Sequence, residues 1–208
     1  LTRSEDPAGA LERVGMFGGA FDPPHVAHVA LAHAAVEQLQ LDELRIFPTG
    51  QAWHKTRPLT AAVHRLAMTR LAFGHLPQVV VDERELRRSG PSYTVDTLRE
   101  LAAEWPHTVL YLLIGEDQAR ALPSWRHSDQ LTRLAIICVA VRPDSEGAAG
   151  HFDPPTGLED RFCRLDLPAM AVSATDIRQR VGAREGIAPL VGAPVARYIE
   201  QHRLYPTA

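Results

Sequence analysis

The sequence predicts an α/β protein, a doubly wound and mostly parallel sheet in a single domain. Three observations predict it. Short apolar runs alternate with stretches of helical period along most of the 208 residues. One run, Val109-Leu110-Tyr111-Leu112-Leu113-Ile114, is unbroken, as a central strand covered on both faces requires. Two strand-to-helix junctions, at residues 18–28 and 172–178, carry residues suited to anions, where open parallel sheets take their ligands.

In chain order, Leu1 to Arg13 has little periodicity and reads as a flexible leader, with the domain over 14–205. Val14-Gly15-Met16-Phe17 is a first strand. Gly18-Gly19 lets backbone approach a bound group because it lacks Cβ atoms, and Asp22 then suits an N-cap with Pro23 at the first helical position. Val29, Ala32, Val36 and Leu39 form one stripe of the helix that follows, and Leu44 to Pro48 completes a βαβ unit. Thr49 to Leu59 is a loop holding Trp53-His54-Lys55. Thr60 to Phe73 is a helix with Val63, Leu66, Ala67 and Leu71 inward, and Val79 to Val81 is the third strand. Glu83 to Arg88 is a mixed charge run of the kind that marks a solvated face.

Ser89 to Thr94 is a turn opening an amphipathic helix with Val95, Leu98, Leu101 and Ala102 inward, ahead of the strand ended by Gly115. Glu116 to Leu122 and Ser128 to Leu134 are short helices around Pro123-Ser124-Trp125, and a fifth strand runs to Val141. Arg142 to Asp160 is a surface loop, the last strand lies near Cys163 to Leu167, and Ser173 begins a helix. Pro194 to His202 forms the final helix, with Val195, Tyr198 and Ile199 toward the core.

A formal charge of −3, from 22 basic and 25 acidic residues, gives no polycation for nucleic acid, so phosphate binding must be local. No run approaches the ~20 apolar residues of a membrane span. The two cysteines, Cys138 and Cys163, sit in apolar surroundings and read as reduced thiols of a cytoplasmic protein.

His25 and His28, three apart at a positive helix end, can donate to phosphate oxygens. They do not match a zinc site, because no glutamate stands between them at the metalloprotease spacing and no third ligand is nearby. At the second junction Ser173 and Thr175 offer hydroxyls, and Arg178 one turn on offers a planar cation; a capped helix with a surface arginine has the same composition. Trp125 fits packing between short helices, Tyr93 can staple its helix, and Thr94 can cap it.

The glycine turn with His25-Val26-Ala27-His28, and the late Ser173-Ala174-Thr175-Asp176-Ile177-Arg178, resemble the paired signatures of the nucleotidyltransferase superfamily, with its Rossmann-like fold. The likeness is closer to bacterial nicotinate-nucleotide adenylyltransferases. It extends through Pro48 to Lys55, Ser92 to Leu98, Gly115-Glu116-Asp117 with Trp125, and the ending Val195 to Tyr205. The resemblance departs at Ala20, Ala27, Trp53 and Ala174, where the family tends to have a small hydroxyl residue, glycine, proline and serine.

The resemblance implies transfer of the adenylyl group of ATP to nicotinate mononucleotide, giving deamido-NAD and pyrophosphate. Gly18, Gly19 and Phe21 would lie along the nucleotide, and His25 and His28 would bind its α- and β-phosphates. Lys55, beside His54, would reach phosphates from its loop, and Ser173, Thr175 and Arg178 would hold the departing β- and γ-phosphates. Trp125 would stack on the pyridine ring, the backbone at Tyr93 and Thr94 would meet the nicotinate carboxylate, and Asp117 would assist. Mg2+ would arrive mainly with ATP rather than in a carboxylate cage. Two other readings stay open: the same fold acting on another phosphate acceptor such as phosphopantetheine, and a non-catalytic nucleotide sensor.

Overall fold

The computed structural model describes residues 11–51, 58–141 and 152–206. Among them six strands form one sheet: β1 (Arg13–Gly19), β2 (Glu43–Pro48), β3 (Val79–Val81), β4 (Val109–Gly115), β5 (Ile136–Val141) and β6 (Phe162–Asp166). Their order is β3-β2-β1-β4-β5-β6 and every pairing is parallel. The chain therefore winds outward from β1 to one edge and then from β4 to the other, which places the topological switch between β1 and β4. The β1–β2 ladder continues to Gly19 opposite Pro48, whereas the β1–β4 ladder stops at Met16 opposite Leu112. Beyond that pair the two central strands part.

Helices cover both faces. α1 (Val26–Leu39), α2 (Ala62–Phe73), α8 (Ala188–Val191) and α9 (Ala193–Gln201) enclose one core with Phe21, Ile46, Phe73 and Ile199. α4 (Thr94–Glu104), α5 (Glu116–Ala121) and α6 (Ser128–Leu134) enclose the other with Met16, Leu98, Leu112 and Leu131. The run in β4 serves both: Tyr111 and Leu113 point to the first core, Leu110, Leu112 and Ile114 to the second. Each such side chain contributes roughly 1.5–3 kcal/mol on full burial, which is why an uninterrupted apolar strand belongs at the centre. α3 (Arg84–Arg87) and α7 (Ala174–Gly182) complete the chain.

Several sequence expectations are corrected. α2 buries Arg65, Met68, Thr69, Ala72 and Phe73, leaving Val63 and Leu71 exposed. Two overlapping stripes compete on this helix, and the one carrying Arg65 wins because its guanidinium satisfies backbone carbonyls, described below. The buried set of α1 is Ala27, Leu31, Ala32, Ala35 and Leu39, shifted from the stripe through Val29 and Val36. Cys138 and Cys163 stand opposite each other in the β5–β6 register and are joined as a disulfide, not separate thiols. Residues 11–13 belong to the fold rather than to a leader: the Glu12 and Arg13 N–H groups donate to Asp42 Oδ2, and Thr108 Oγ1 donates to the Leu11 carbonyl. Residues 1–10, Trp53, His54 and Lys55, and most of the loop after Val141 lie outside the described residues.

Candidate active site

The parting of β1 and β4 opens a cleft of about 380 Å³ at the carboxyl end of the sheet. Its floor is Met16, Gly18 and Gly19 from β1 and Leu112 to Ile114 from β4. Ser92, Tyr93 and Thr94 form one wall; Asp117, Trp125 and Arg126 form another. The fold thus brings Gly18, Gly19, Tyr93, Thr94, Asp117 and Trp125 to one place. A Cβ at Gly18 would meet nothing within 4 Å, so backbone is what the floor presents to a ligand there.

His25, not Asp22, is the N-cap of α1, and the helix begins at Val26 beyond Pro23 and Pro24. Asp22 is buried and spends its carboxylate on tertiary partners instead, Tyr205 Oη at 2.8 Å and the Thr60 N–H at 3.3 Å. The His25 N–H donates to His28 Nδ1 at 3.1 Å. A ring nitrogen that accepts carries no proton, so the ring proton of His28 is on Nε2, where it is a donor. The two imidazoles stack with centroids 3.7 Å apart. Phe21, 2% exposed, lies edge-on to His28 at 5.2 Å. Its ring therefore supports the histidine from within the core.

Ser173 caps α7 by accepting from the Asp176 N–H at 3.1 Å, so the plain reading of a capped helix holds for this hydroxyl. Arg178 does more than lie on the surface. It donates to Thr175 Oγ1 at 3.0 Å and to the Asp22 carbonyl at 2.8 Å, joining the late signature to the early one across 156 residues. Thr175 and Arg178 border a second, more open hollow with Gln179 and Pro206. His25 and His28 stand at the start of α1, a few residues beyond Gly18, Gly19 and Ala20 of the cleft lining, and line neither concavity themselves.

Tyr93, not Thr94, is the N-cap of α4 and makes no side-chain capping bond. The first N–H groups of a helix have no carbonyl within it to meet, so the Thr94 end of α4 presents donors and a partial positive charge to the cleft. The Arg126 guanidinium lies over the Tyr93 ring at 4.6 Å and adds a formal charge to the same wall. Trp125 is half-buried: it packs on the second core and lines the cleft, so packing and ligand contact are both served by one ring. Asp117 stands at the rim with its side chain 99% exposed and paired with Arg120.

Three residues hold this site together, and the first two are invisible to motif reading. Arg65, 2% exposed, donates to the carbonyls of Ala20 and Thr60, both at 2.9 Å, and burial pulls its guanidinium below its ordinary value against the opposing charge of Asp22. Glu85 overturns the solvated reading of residues 83–88. It is 4% exposed, lines the cleft and accepts from Thr97 Oγ1 at 2.8 Å. Burial pushes its carboxyl up to about 7 against the pull of Thr97 and Arg88. Its neighbours Asp82 and Arg84 pair with each other and with Arg45 and Glu104, Arg88 pairs with Glu100, and Arg87, paired with Glu83, keeps the solvated character of the run. Tyr205 is the third. Among the described residues no group of three or more His, Cys, Asp or Glu is placed to hold a metal ion, and no helix is long and apolar enough to cross a membrane.

An all-parallel sheet, a glycine-floored cleft at its switch point and two linked helix starts bearing histidine and arginine define a nucleotide-binding α/β protein of the cytidylyltransferase-like class, whose family pattern matches residues 16–180. A protein of Albidiferax ferrireducens, called "Probable nicotinate-nucleotide adenylyltransferase", is 61% identical over 95% of this chain and 100% of its own. A relative of the same description from Chromobacterium violaceum is 42% identical over 93% of this chain and 98% of its own. The chain belongs to the nicotinate-nucleotide adenylyltransferase family. Among solved structures, the Plasmodium falciparum nicotinic acid mononucleotide adenylyltransferase complexed with NaAD shares the fold, with a TM-score of 0.72 at 18% identity over 93% of this chain and 97% of that one.

Proposed function

We propose that this chain transfers the adenylyl group of ATP to nicotinate mononucleotide, releasing pyrophosphate and forming nicotinate adenine dinucleotide. The observation that supports the reading is the bond from Arg178 to the Asp22 carbonyl, which ties the α7 start to the turn ahead of α1. In the reaction a phosphate oxygen of the mononucleotide attacks the α-phosphorus of ATP. A new P–O bond forms as the bond to the pyrophosphate oxygen breaks, and no covalent enzyme intermediate is needed. Catalysis is then alignment plus stabilisation of charge on the phosphoryl oxygens.

His28, its proton on Nε2, donates to the α-phosphate oxygens, with His25 beside it. Gly18 and Gly19 take the nucleotide against the floor. Thr175, Arg178 and the α7 N-terminus near Ser173 receive the β- and γ-phosphates. Magnesium enters as part of the substrate, on the triphosphate. On the acceptor side Trp125 stacks on the pyridine ring, and the Thr94 end of α4 receives the carboxylate. A helix end is worth ~0.3–1 kcal/mol to an exposed carboxylate and up to ~2 kcal/mol in a partly buried one, a gain a neutral carboxamide lacks.

One assay tests this. The protein is incubated with MgATP and, separately, nicotinate mononucleotide, nicotinamide mononucleotide and phosphopantetheine, and pyrophosphate is measured. Release is expected with the first and much less with the second. Release with phosphopantetheine alone would overturn the acceptor, and release with none would overturn the enzyme in favour of a nucleotide sensor.

A further inference from the structure

The turn that carries His25 is held from outside itself. Residues 20–22 connect β1 toward α1, and three distant elements bind them. Arg65 of α2 donates to the Ala20 carbonyl at 2.9 Å, and Arg178 of α7 to the Asp22 carbonyl at 2.8 Å. Tyr205, which follows α9, donates its hydroxyl to Asp22 Oδ1 at 2.8 Å across 183 residues of sequence. The Thr60 N–H meets the other carboxylate oxygen at 3.3 Å. A buried carboxylate needs such donors because water is not there to supply them, and bonds to a charged acceptor are about twice as strong as neutral ones. Burial and the Asp22 charge hold the Tyr205 hydroxyl well above the ordinary phenol range, so it remains a donor.

We infer that Tyr205 is a positioning residue for adenylyl transfer: by holding Asp22 it fixes the turn that aims His25 and His28. This rests on the reading of those histidines as donors to the phosphates. Tyr205 and Asp22 both lie outside the cleft lining. Losing their bond therefore removes no contact to the acceptor; it loosens the geometry in which two histidines meet the transition state, where ~1 Å of misplacement can cost ~100-fold. The consequence is a loss in kcat without a matching rise in KM for the acceptor.

The test uses Tyr205→Phe, which keeps the ring packed against the first core and removes one hydroxyl. Pyrophosphate release is measured against both substrates, alongside thermal unfolding. The expected result is a kcat lower by roughly 10- to 100-fold, as loss of a bond to a charged acceptor predicts, with KM for nicotinate mononucleotide unchanged. Asp22→Asn, whose amide oxygen can still accept from the hydroxyl but carries no charge, should lose less kcat, and Tyr205→Phe should cost less in the Asp22→Asn background than in wild type, because the bond it breaks there is already weakened. Wild-type kcat in Tyr205→Phe, a KM rise in place of the kcat loss, or losses that multiply in the double variant would each overturn the inference. Should Tyr205→Phe not accumulate as folded protein, the kcat and KM of Asp22→Asn alone decide the inference by the same criteria. No release by the wild-type protein, or normal turnover by His28→Ala, would instead sink the underlying reading, and this inference with it.

Discussion

Replacing Glu85 by glutamine removes a buried titration and should change how stability depends on pH. Glu85 is 4% exposed, with the Thr97 hydroxyl at 2.8 Å and Arg88 nearby favouring its charge, while burial, Glu100 and Asp82 oppose it. Burial wins, lifting the carboxyl from 4.5 to about 7. That displacement is worth roughly 3 kcal/mol. The folded protein holds this proton more tightly than the unfolded chain, so the contribution is fully present below pH 4.5 and is lost as pH rises through about 7. Glutamine at this position can still accept from Thr97 but does not titrate. Every other group cancels when the variant is compared with wild type at each pH. Urea or thermal unfolding at intervals from about pH 5 to pH 8 should therefore show wild type losing roughly 2–3 kcal/mol relative to Glu85→Gln, or about 5–10 °C in Tm for a chain of this size. A difference that stays flat across that interval would refute the buried, neutral-leaning carboxyl.

His28→Ala should lower kcat at least ~100-fold with the fold intact, since one transition-state donor is worth ~2.7–4 kcal/mol; near-normal turnover removes it from the catalytic set. Trp125→Ala should raise KM for nicotinate mononucleotide far more than KM for ATP, whereas equal effects on both would assign the ring to packing alone. In Gly50→Ala the new Cβ would sit 2.2 Å from the Glu85 carbonyl and 2.9 Å from Ser92 Oγ. The backbone must move, costing about 1–3 kcal/mol as other overpacked sites do, and an unchanged unfolding midpoint would contradict that crowding.

The sheet was legible because its strands announce themselves by apolar runs whose length and spacing leave few topologies. The glycine floor and the α7 start were legible for a related reason: each follows a strand and opens a helix, where local residue types report local geometry, whereas Tyr93 and Trp125, set between helices, were picked out by the family resemblance. Arg65 was hidden because an arginine on an amphipathic helix counts as surface, and only the fold reveals the carbonyls of Ala20 and Thr60 that draw it inward. Glu85 was hidden inside a charge run, where one buried member looks like its solvated neighbours. Asp22 has the composition of an N-cap, yet a partner 183 residues away changes its use. The Cys138–Cys163 pairing depends on strand register, and a spacing of 25 residues does not report register. What local chemistry decides can be read along the chain; what distant partners decide cannot.

The short ladder between β1 and β4 makes the sheet two three-stranded halves joined along a seam from Arg13–Val109 to Met16–Leu112. Gly18 and Gly19 belong to one half, Asp117 and Trp125 to the other. A molecule seated in the cleft is therefore a rivet: the seam cannot part without shearing its contacts on one side. Amide exchange along those eight residues should slow when the cleft is filled, because any opening there has first to release the occupant. Loading can thus be followed at the seam itself, with no reaction taking place.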